Sequence, residues 1–433
     1  MPRMNDRIPA VSPGGAARAG RAETDGAPLA APLAGEAGHR LSVSLSGTNL
    51  ARAGDYNQRI VLQAIRLAGE TTRQLLVRQT GLTAPTIANI AARLEEMGLV
   101  THAGRRHGSR GQPALRLAIN PDGAFGIGLN IDRDHVTLAL LDLAGSVRGS
   151  LTREMAFALP GDVVAFVGDV LPGLMAAGGV DPALVLGVGV ARPDGLGSIA
   201  IPHRPQGYAA WTDIDFATLL APVMPWPIHV DNDAAAAALG EAKRIEAPDK
   251  GSFFYLLLSA GLGGAPVIDG GYYRGARARS GEIGLMPDPG AGVPGAVVQD
   301  TVSLSALQQR LERAGKPVAD LTDLLALDPA TATTVDRWIA DSTRALTAPL
   351  VAVSCLLDPE AILVGGRLPA ALIERLCARI DAALAEVAMP NRVPVRPAQM
   401  ADAAPAIGAA LLPFQDRLLP SDAILMQAGR APA

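Results

Sequence analysis

At 433 residues, 49% of them hydrophobic, the chain is long enough for two or three domains with sizeable cores. A formal net charge of −4 excludes a polycation, so any nucleic-acid surface has to be a local patch. Two cysteines, Cys355 and Cys377, exclude a disulfide scaffold. No long unbroken apolar run or signal-like core is evident, which predicts no membrane span, no export signal and a cytoplasmic location.

Residues 1–51 are rich in Ala, Gly, Pro and Ser without sustained periodicity, and predict a mostly disordered tail. From Tyr56, "YNQRIVLQAIRLAGE" places Ile60, Val61, Ala64, Ile65 and Leu67 at helical spacing and stops at Gly69. "TTRQLLVRQTGL" predicts a second short helix, capped by Thr71 or Thr72 and ended by Gly81. "TAPTIANIAARLEEMGLV" predicts a third, with Thr83 as N-cap, Pro85 in the first turn, Gly98 at its close, and Ile87, Ile90, Ala91 and Leu94 as the buried stripe. Next, "LVTHAGRRHGSRGQPALRLAIN" reads as two short strands flanking a tip of glycines with Arg105, Arg106, His107 and Arg110.

Residues 52–120 therefore predict a winged helix-turn-helix. Its third helix would present Thr83, Thr86 and Asn89 to base edges in a major groove, since an amide can pair with adenine and a threonine offers hydroxyl and methyl. Arg105 and Arg106 would neutralise phosphates. Arg110, between Gly108 and Gly111, would enter a narrow minor groove. Three-helix units also serve as dimerisation or docking modules; the glycine-arginine hairpin directly after the third helix favours DNA. Glu95 and Glu96 fall late on that helix, away from the expected contacts.

After Pro121, strand-like runs ("VLGVGVARPDG", "KGSFFYLLLSAGLGG", "AILVGG") alternate with Ala-rich helices, an α/β pattern. "VDNDAAAAALGE" reads either as a polar pair, Asn232 and Asp233, suited to a polyol, or as a capping turn before a helix.

The motifs "NQRIVLQAIR", "LVRQTGLTAPTIANIAARLEEMGLV", "GSRGQPALRLAIN", "VDNDAAAAALGE" and "SGEIGLM", in this order, resemble the ROK family of repressors and sugar kinases, in particular its winged-helix regulators. The resemblance implies that residues 121–433 form a two-lobed actin-like (ribonuclease H-like) ATPase fold with a sugar cleft between the lobes, serving effector binding and oligomerisation. It also implies that Asn232, Asp233 and Glu282 contact sugar, with Asp233 the position of the kinase general base. Asp300 falls roughly where a further sugar-contacting glutamate is expected, and His203, beside Arg204, replaces a familiar asparagine.

The departures from the family pattern are specific. Where the kinases have Asp-Ile-Gly-Gly-Thr-Lys, this chain has "NIDRDH": Asn130 for the aspartate, Asp132 and Arg133 for the two glycines. Glycine there lets backbone N–H groups approach phosphate, and a carboxylate favours Mg²⁺. In the second phosphate turn, "SAGLGG", Ala260 replaces a threonine. Leu285 stands where the family has a histidine, and no cysteine cluster follows, so no structural zinc is expected; Cys355 and Cys377 are expected to pack between helices. The combined expectation is a non-catalytic, sugar-responsive DNA-binding regulator, a repressor acting on duplex DNA as a homodimer or homotetramer and needing no cofactor. An active carbohydrate kinase with an accessory DNA domain is the alternative, and a regulator without effector a third.

Overall fold

The computed structural model describes residues 50–106, 114–198, 204–244, 251–318, 321–325, 328–400 and 403–420. The tail expectation, Arg110 and His203 lie outside them.

The first elements are α1 (Leu50–Ala68), β1 (Glu70–Thr72), α2 (Arg73–Thr80), α3 (Ala84–Glu96), β2 (Val100–Arg106) and β3 (Ala114–Ile119). Local chemistry sets their ends. Thr72 Oγ1 accepts from Leu75 N at 3.3 Å to start α2, and Gly81 at φ 70° ends it. Thr83 Oγ1 caps α3 through Thr86 N. Leu76, Ile87, Ala91 and Leu94 are buried; Ile90 is only partly so. β1 was not anticipated. It is three residues long, too short for any alternation to register, and is defined by antiparallel pairing with β3, Glu70 opposite Ala118. With β2 it makes a sheet of order β1-β3-β2, the wing. α1 begins at Leu50, six residues before the expected Tyr56.

This module's core does not end at residue 120. Val61, Leu62 and Ile65 pack with Leu141 and Leu143 and with Leu412, Phe414 and Leu418 near the far end of the chain. Arg59 donates to the Asp416 carbonyl at 2.6 Å, and Arg66 to the Leu143 carbonyl at 3.2 Å.

Two lobes follow. The first has β4 (Phe125–Ile131), β5 (His135–Asp142), β6 (Val147–Glu154), α4 (Pro160–Gly178), β7 (Val185–Arg192), α5 (Phe216–Leu220) and β8 (Ile228–Asn232), then α6 (Asp233–Arg244). The second has β9 (Phe253–Leu258), β10 (Leu262–Ile268), β11 (Gly271–Tyr272), α7 (Val298–Thr301), α8 (Leu304–Arg313), α9 (Pro329–Leu357), β12 (Ala361–Gly366), α10 (Ala370–Ala385) and β13 (Val395–Pro397). α11 (Ala404–Ala410) and α12 (Leu412–Arg417) return to the first. The sheets have orders β6-β5-β4-β7-β8 and β11-β10-β9-β12-β13. One topology is thus used twice: an antiparallel meander of three strands whose first strand pairs in parallel with a fourth, which pairs in parallel with a fifth. This is the two-lobed actin-like arrangement expected.

Both central strands are buried on two faces. In β9, Phe254, Leu256 and Leu258 join the core with Trp338 of α9, while Tyr255 and Leu257 face Ala234, Ala237 and Ala238 of α6. In β4, Phe125, Ile127, Leu129 and Ile131 face α4, and the opposite face is Gly126 and Gly128. A methyl on Gly128 would lie 1.7 Å from the Ala406 carbonyl oxygen, and one on Gly189 of β7 1.9 Å from that of Ala409. These mid-strand glycines let the α11 backbone lie on the sheet. α11 meets α6 the same way, with Gly408 against the Ala236 carbonyl.

Among the described residues one helix, α4, is long and apolar enough by length and composition to cross a membrane, which the sequence reading overlooked. It packs Val163, Phe166, Val167 and Leu171 against the first sheet.

Candidate effector cleft and nucleic-acid interface

At the start of α3 the N-cap Thr83 is exposed and Thr86 half-buried, and Asn89 is exposed on the side opposite Ile87 and Leu94. Thr83 Oγ1 lies 2.9 Å from Thr86 Oγ1, so the capping oxygen is already engaged. The Asn89 amide makes no hydrogen bond within the described residues. Glu95 is held toward the wing, 3.1 Å from His102 and 3.6 Å from Arg73, which keeps its charge at the far end of the helix. Arg105 and Arg106 lie at the end of β2, where the chain approaches the hairpin tip; their side chains, like Arg110, lie outside what the structure describes.

The second site lies where the lobes meet. β4 and β5 are joined by Asp132, Arg133 and Asp134, and the turn satisfies its own backbone. Asp132 N donates to the His135 carbonyl at 3.0 Å, and Arg133 N to Asp132 Oδ1 at 2.7 Å. Amides that would cradle a phosphate are thus already bonded. Asn130, Asp132 and His135 are each 2% exposed. His135 Nδ1 lies 2.6 Å from Asp134 Oδ1, and its Nε2 3.1 Å from the Asn130 side-chain amide. Burial opposes charge on His135, but the Asp134 hydrogen bond and the charges of Asp132 and Asp134 outweigh it and raise its pKa. Ligand atoms of Asp132, Asp134 and His135 all fall within 4.8 Å, yet the Asp134–His135 hydrogen bond and the pairing of Asp134 with Arg367 at 2.9 Å already balance this group.

In the same lobe, at the β8–α6 junction, Asn232 ends β8 and its Oδ1 accepts from Ala235 N at 3.1 Å. Asn232, rather than Asp233, therefore caps α6. Asp233 accepts from Ala234 N at 2.8 Å. Burial first, then the nearby Asp132 charge, pushes Asp233 up to about 7. Glu282, just before a short 3₁₀ turn, is pushed up to about 7 by burial and by a hydrogen bond with Asp194. Asp233 and Glu282 both feel Asp194 and Arg133, so the structure brings these four groups together.

Asp300 does not join them. It is exposed, and its carboxylate accepts from Val297 N at 2.9 Å to start α7. The neighbouring Gln299 faces the cleft turns instead, with its Oε1 3.5 Å from where a methyl on Gly261 would lie. Asp300 instead borders a cavity of about 550 Å³ with Arg310 and Arg313. The surrounding loop, which lacks the family's zinc cysteines, is organised by Asp288, 3% exposed. Asp288 accepts from Arg344 at 2.7 and 3.2 Å, Thr301 Oγ1 at 2.8 Å and Gly290 N at 3.1 Å. This donor set of guanidinium, hydroxyl and amide suits an anion and is no zinc site. Cys377 is buried as expected; Cys355, also expected to pack between helices, is instead exposed near the end of α9.

The sequence reading missed Asp194, Tyr208 and Arg367. Tyr208 is 1% exposed, and burial with the Asp132 charge drives its hydroxyl pKa strongly upward. Asp194 lay inside the quoted "ARPDG" turn. Arg367 directly follows the "AILVGG" strand, the second-lobe equivalent of β7, and that equivalence was the available signal.

The model of the ROK family matches residues 127–416. Uncharacterized protein y4fQ of Sinorhizobium fredii is 28% identical over 367 residues, 83% of this chain and 90% of its own length. The xylose repressor of Bacillus spizizenii is 25% identical over 231 residues, 53% of this chain and 60% of the repressor. Among solved structures, a ROK family transcriptional regulator, a homolog of the E. coli MLC protein, superposes with a TM-score of 0.62 at 22% identity, covering 87% of this chain and 99% of that one. The ROK family glucokinase from Streptomyces griseus, in complex with glucose and AMPPNP, gives 0.52 at 22% identity, covering 67% and 100%. The fold is thus shared by regulators and kinases, and this chain belongs to the ROK family.

Proposed function

We propose that the chain is a sugar-responsive, DNA-binding transcriptional regulator that represses carbohydrate transport or catabolism genes in the cytoplasm and does not phosphorylate sugar. Residues 52–120 read duplex DNA through Thr83, Thr86, Asn89, Arg105, Arg106 and Arg110. Residues 121–433 bind a sugar or sugar derivative at Asn232, Asp233 and Glu282, and a homodimer or homotetramer sets two readers on a pseudo-palindromic operator. The observation that carries this reading is the contrast between an exposed polar face on α3 and a β4–β5 turn whose amides are already bonded internally.

The core shared by α1, the β5 end and α12 supports coupling between the two sites. α6 starts at Asp233, lies on α11, and α11 leads into α12 against α1. Linkage is reciprocal: a sugar that loosens DNA binding must itself bind the DNA complex more weakly. Electrophoretic retardation of intergenic DNA flanking the chain's own gene, with and without a sugar panel, tests the reading. Retention of no flanking fragment ends it.

One observation favours the kinase reading. Asp233 is buried with a pKa near 7, a value suited to a general base at neutral pH. A coupled assay with ATP over the same sugars decides between them; turnover of about 1–100 s⁻¹ would replace the non-catalytic reading.

A further inference from the structure

Two arginines cross between the lobes at the place where the two phosphate turns face one another. Arg367 leaves the end of β12 in the second lobe, with its amide donating to the Leu258 carbonyl at 3.0 Å. Its guanidinium reaches into the first lobe, to Asp134 Oδ2 at 2.9 Å and to Glu154 at the end of β6. The Arg367 side chain is only 10% exposed. Asp134 in turn holds His135, and His135 holds Asn130, so one polar chain runs from the second sheet to the tip of the central strand of the first. Arg133 crosses in the opposite direction. From the β4–β5 tip it lies against the β9–β10 turn, where a methyl on Gly261 would come within 2.6 Å of a guanidinium nitrogen. The Arg133 guanidinium has no hydrogen bond or ion pair among the described residues, but its charge is felt by Asp233 and Glu282.

We propose that Arg133 and Arg367 form a built-in clasp, so that the lobes are held together by the chain's own guanidinium groups and closure needs no nucleotide. Both charges lie at the substituted turn: Arg133 stands where the kinase motif has glycine, and Arg367 binds the aspartate two residues from Asp132. The clasp does not depend on DNA or sugar binding, and its test is separate from theirs.

Hydrogen exchange on the full chain, followed by mass spectrometry or NMR, reads it at two amides: Asp132 N, bonded to His135, and Ser259 N, bonded to the Gly261 carbonyl at 3.0 Å. Arg367→Gln is expected to speed exchange at both about tenfold, the factor corresponding to roughly 1.4 kcal/mol of local opening. The interior amides of β9 and β12 should keep wild-type rates. Glu154→Gln, at the exposed end of the clasp, and Arg133→Gln should act in the same direction with smaller effect, and they decide the matter if Arg367→Gln does not fold. In the wild type, Mg²⁺ with a non-hydrolysable ATP analogue should leave both amides unchanged. Unaltered exchange in the folded arginine variants, or protection of either amide by the nucleotide, overturns the proposal.

Discussion

The two lobes are built on one strand order, but their corresponding turns have diverged. The β9–β10 turn keeps Gly261, with Gly263 and Gly264 following inside β10. The β4–β5 turn carries Asp132, Arg133 and Asp134. The glycines inside the strands of the first lobe nevertheless remain: Gly126, Gly128, Gly187 and Gly189 all face α11 or its continuation. The difference teaches what each glycine was for. A mid-strand glycine under a packed helix is held by close contact with backbone, whatever the cleft does. On the proposed non-catalytic reading, a glycine at the tip has no phosphate to admit and can be replaced.

The sharpest way to break this comparison is to add one methyl at each kind of position. Gly128→Ala pushes a carbon into the Ala406 backbone, which cannot swing aside, and is expected to cost about 3 kcal/mol, at the upper end for overpacking. Gly261→Ala, though buried, meets only the far ends of the flexible Arg133 and Gln299 side chains and is expected to cost about 1 kcal/mol, the lower end for overpacking. Urea unfolding of both variants measures the difference; equal costs would sink the distinction.

The second lobe has a comparable anchor in Asp288. Asp288→Ala strands the Arg344 guanidinium, Thr301 Oγ1 and Gly290 N, and should cost about 2–3 kcal/mol at pH 7. Arg344 first among its partners depresses the Asp288 pKa, so this stability is present above the usual carboxylate pKa and is lost as pH falls through the folded value. The wild-type advantage in thermal melts should therefore shrink toward pH 2.

On the reader, Asn89→Ala should weaken operator binding by about 1–3 kcal/mol while leaving the melting temperature unchanged, because Asn89 is exposed and has no partner within the described residues. Fluorescence anisotropy on a retained fragment measures it.

The smallest expected effect is in the cleft. Asp233 has a folded pKa raised to about 7, so the native state binds a proton more tightly than the unfolded chain, and stability declines as pH rises from about 4 to 7. Asp233→Asn should therefore be neutral at pH 4 and raise the melting temperature by about 2–4 °C at pH 8, the response to roughly 1 kcal/mol. A variant that melts lower than wild type at pH 8 would mean that Asp233 is compensated in the native state.

Much of the site was legible because its residues are local in sequence. The proposed third-helix contacts, the Asn232–Asp233 pair and the substituted turn at Asn130–Asp134 each fall within a few consecutive positions. Asp300 was misplaced by a single residue: it caps α7, and Gln299 faces the cleft. Helical phase at the start of a four-residue helix is fixed by the contacts of the loop before it, and periodicity cannot register there.

The sequence by itself determined the elements whose causes are short-range. Thr72 and Thr83 cap, Gly81 and Gly98 terminate, and short apolar runs bounded by turn residues make strands of β7, β9 and β12, because capping and strand propensity act over a few residues. Only the tertiary structure decided that "GIG" and "GVG" are floors for α11, that the core of the N-terminal module is completed by residues near 412–419, and that Arg367 pairs with Asp134. Those contacts join residues separated by more than two hundred positions, and no local pattern encodes which distant backbone or charge will arrive.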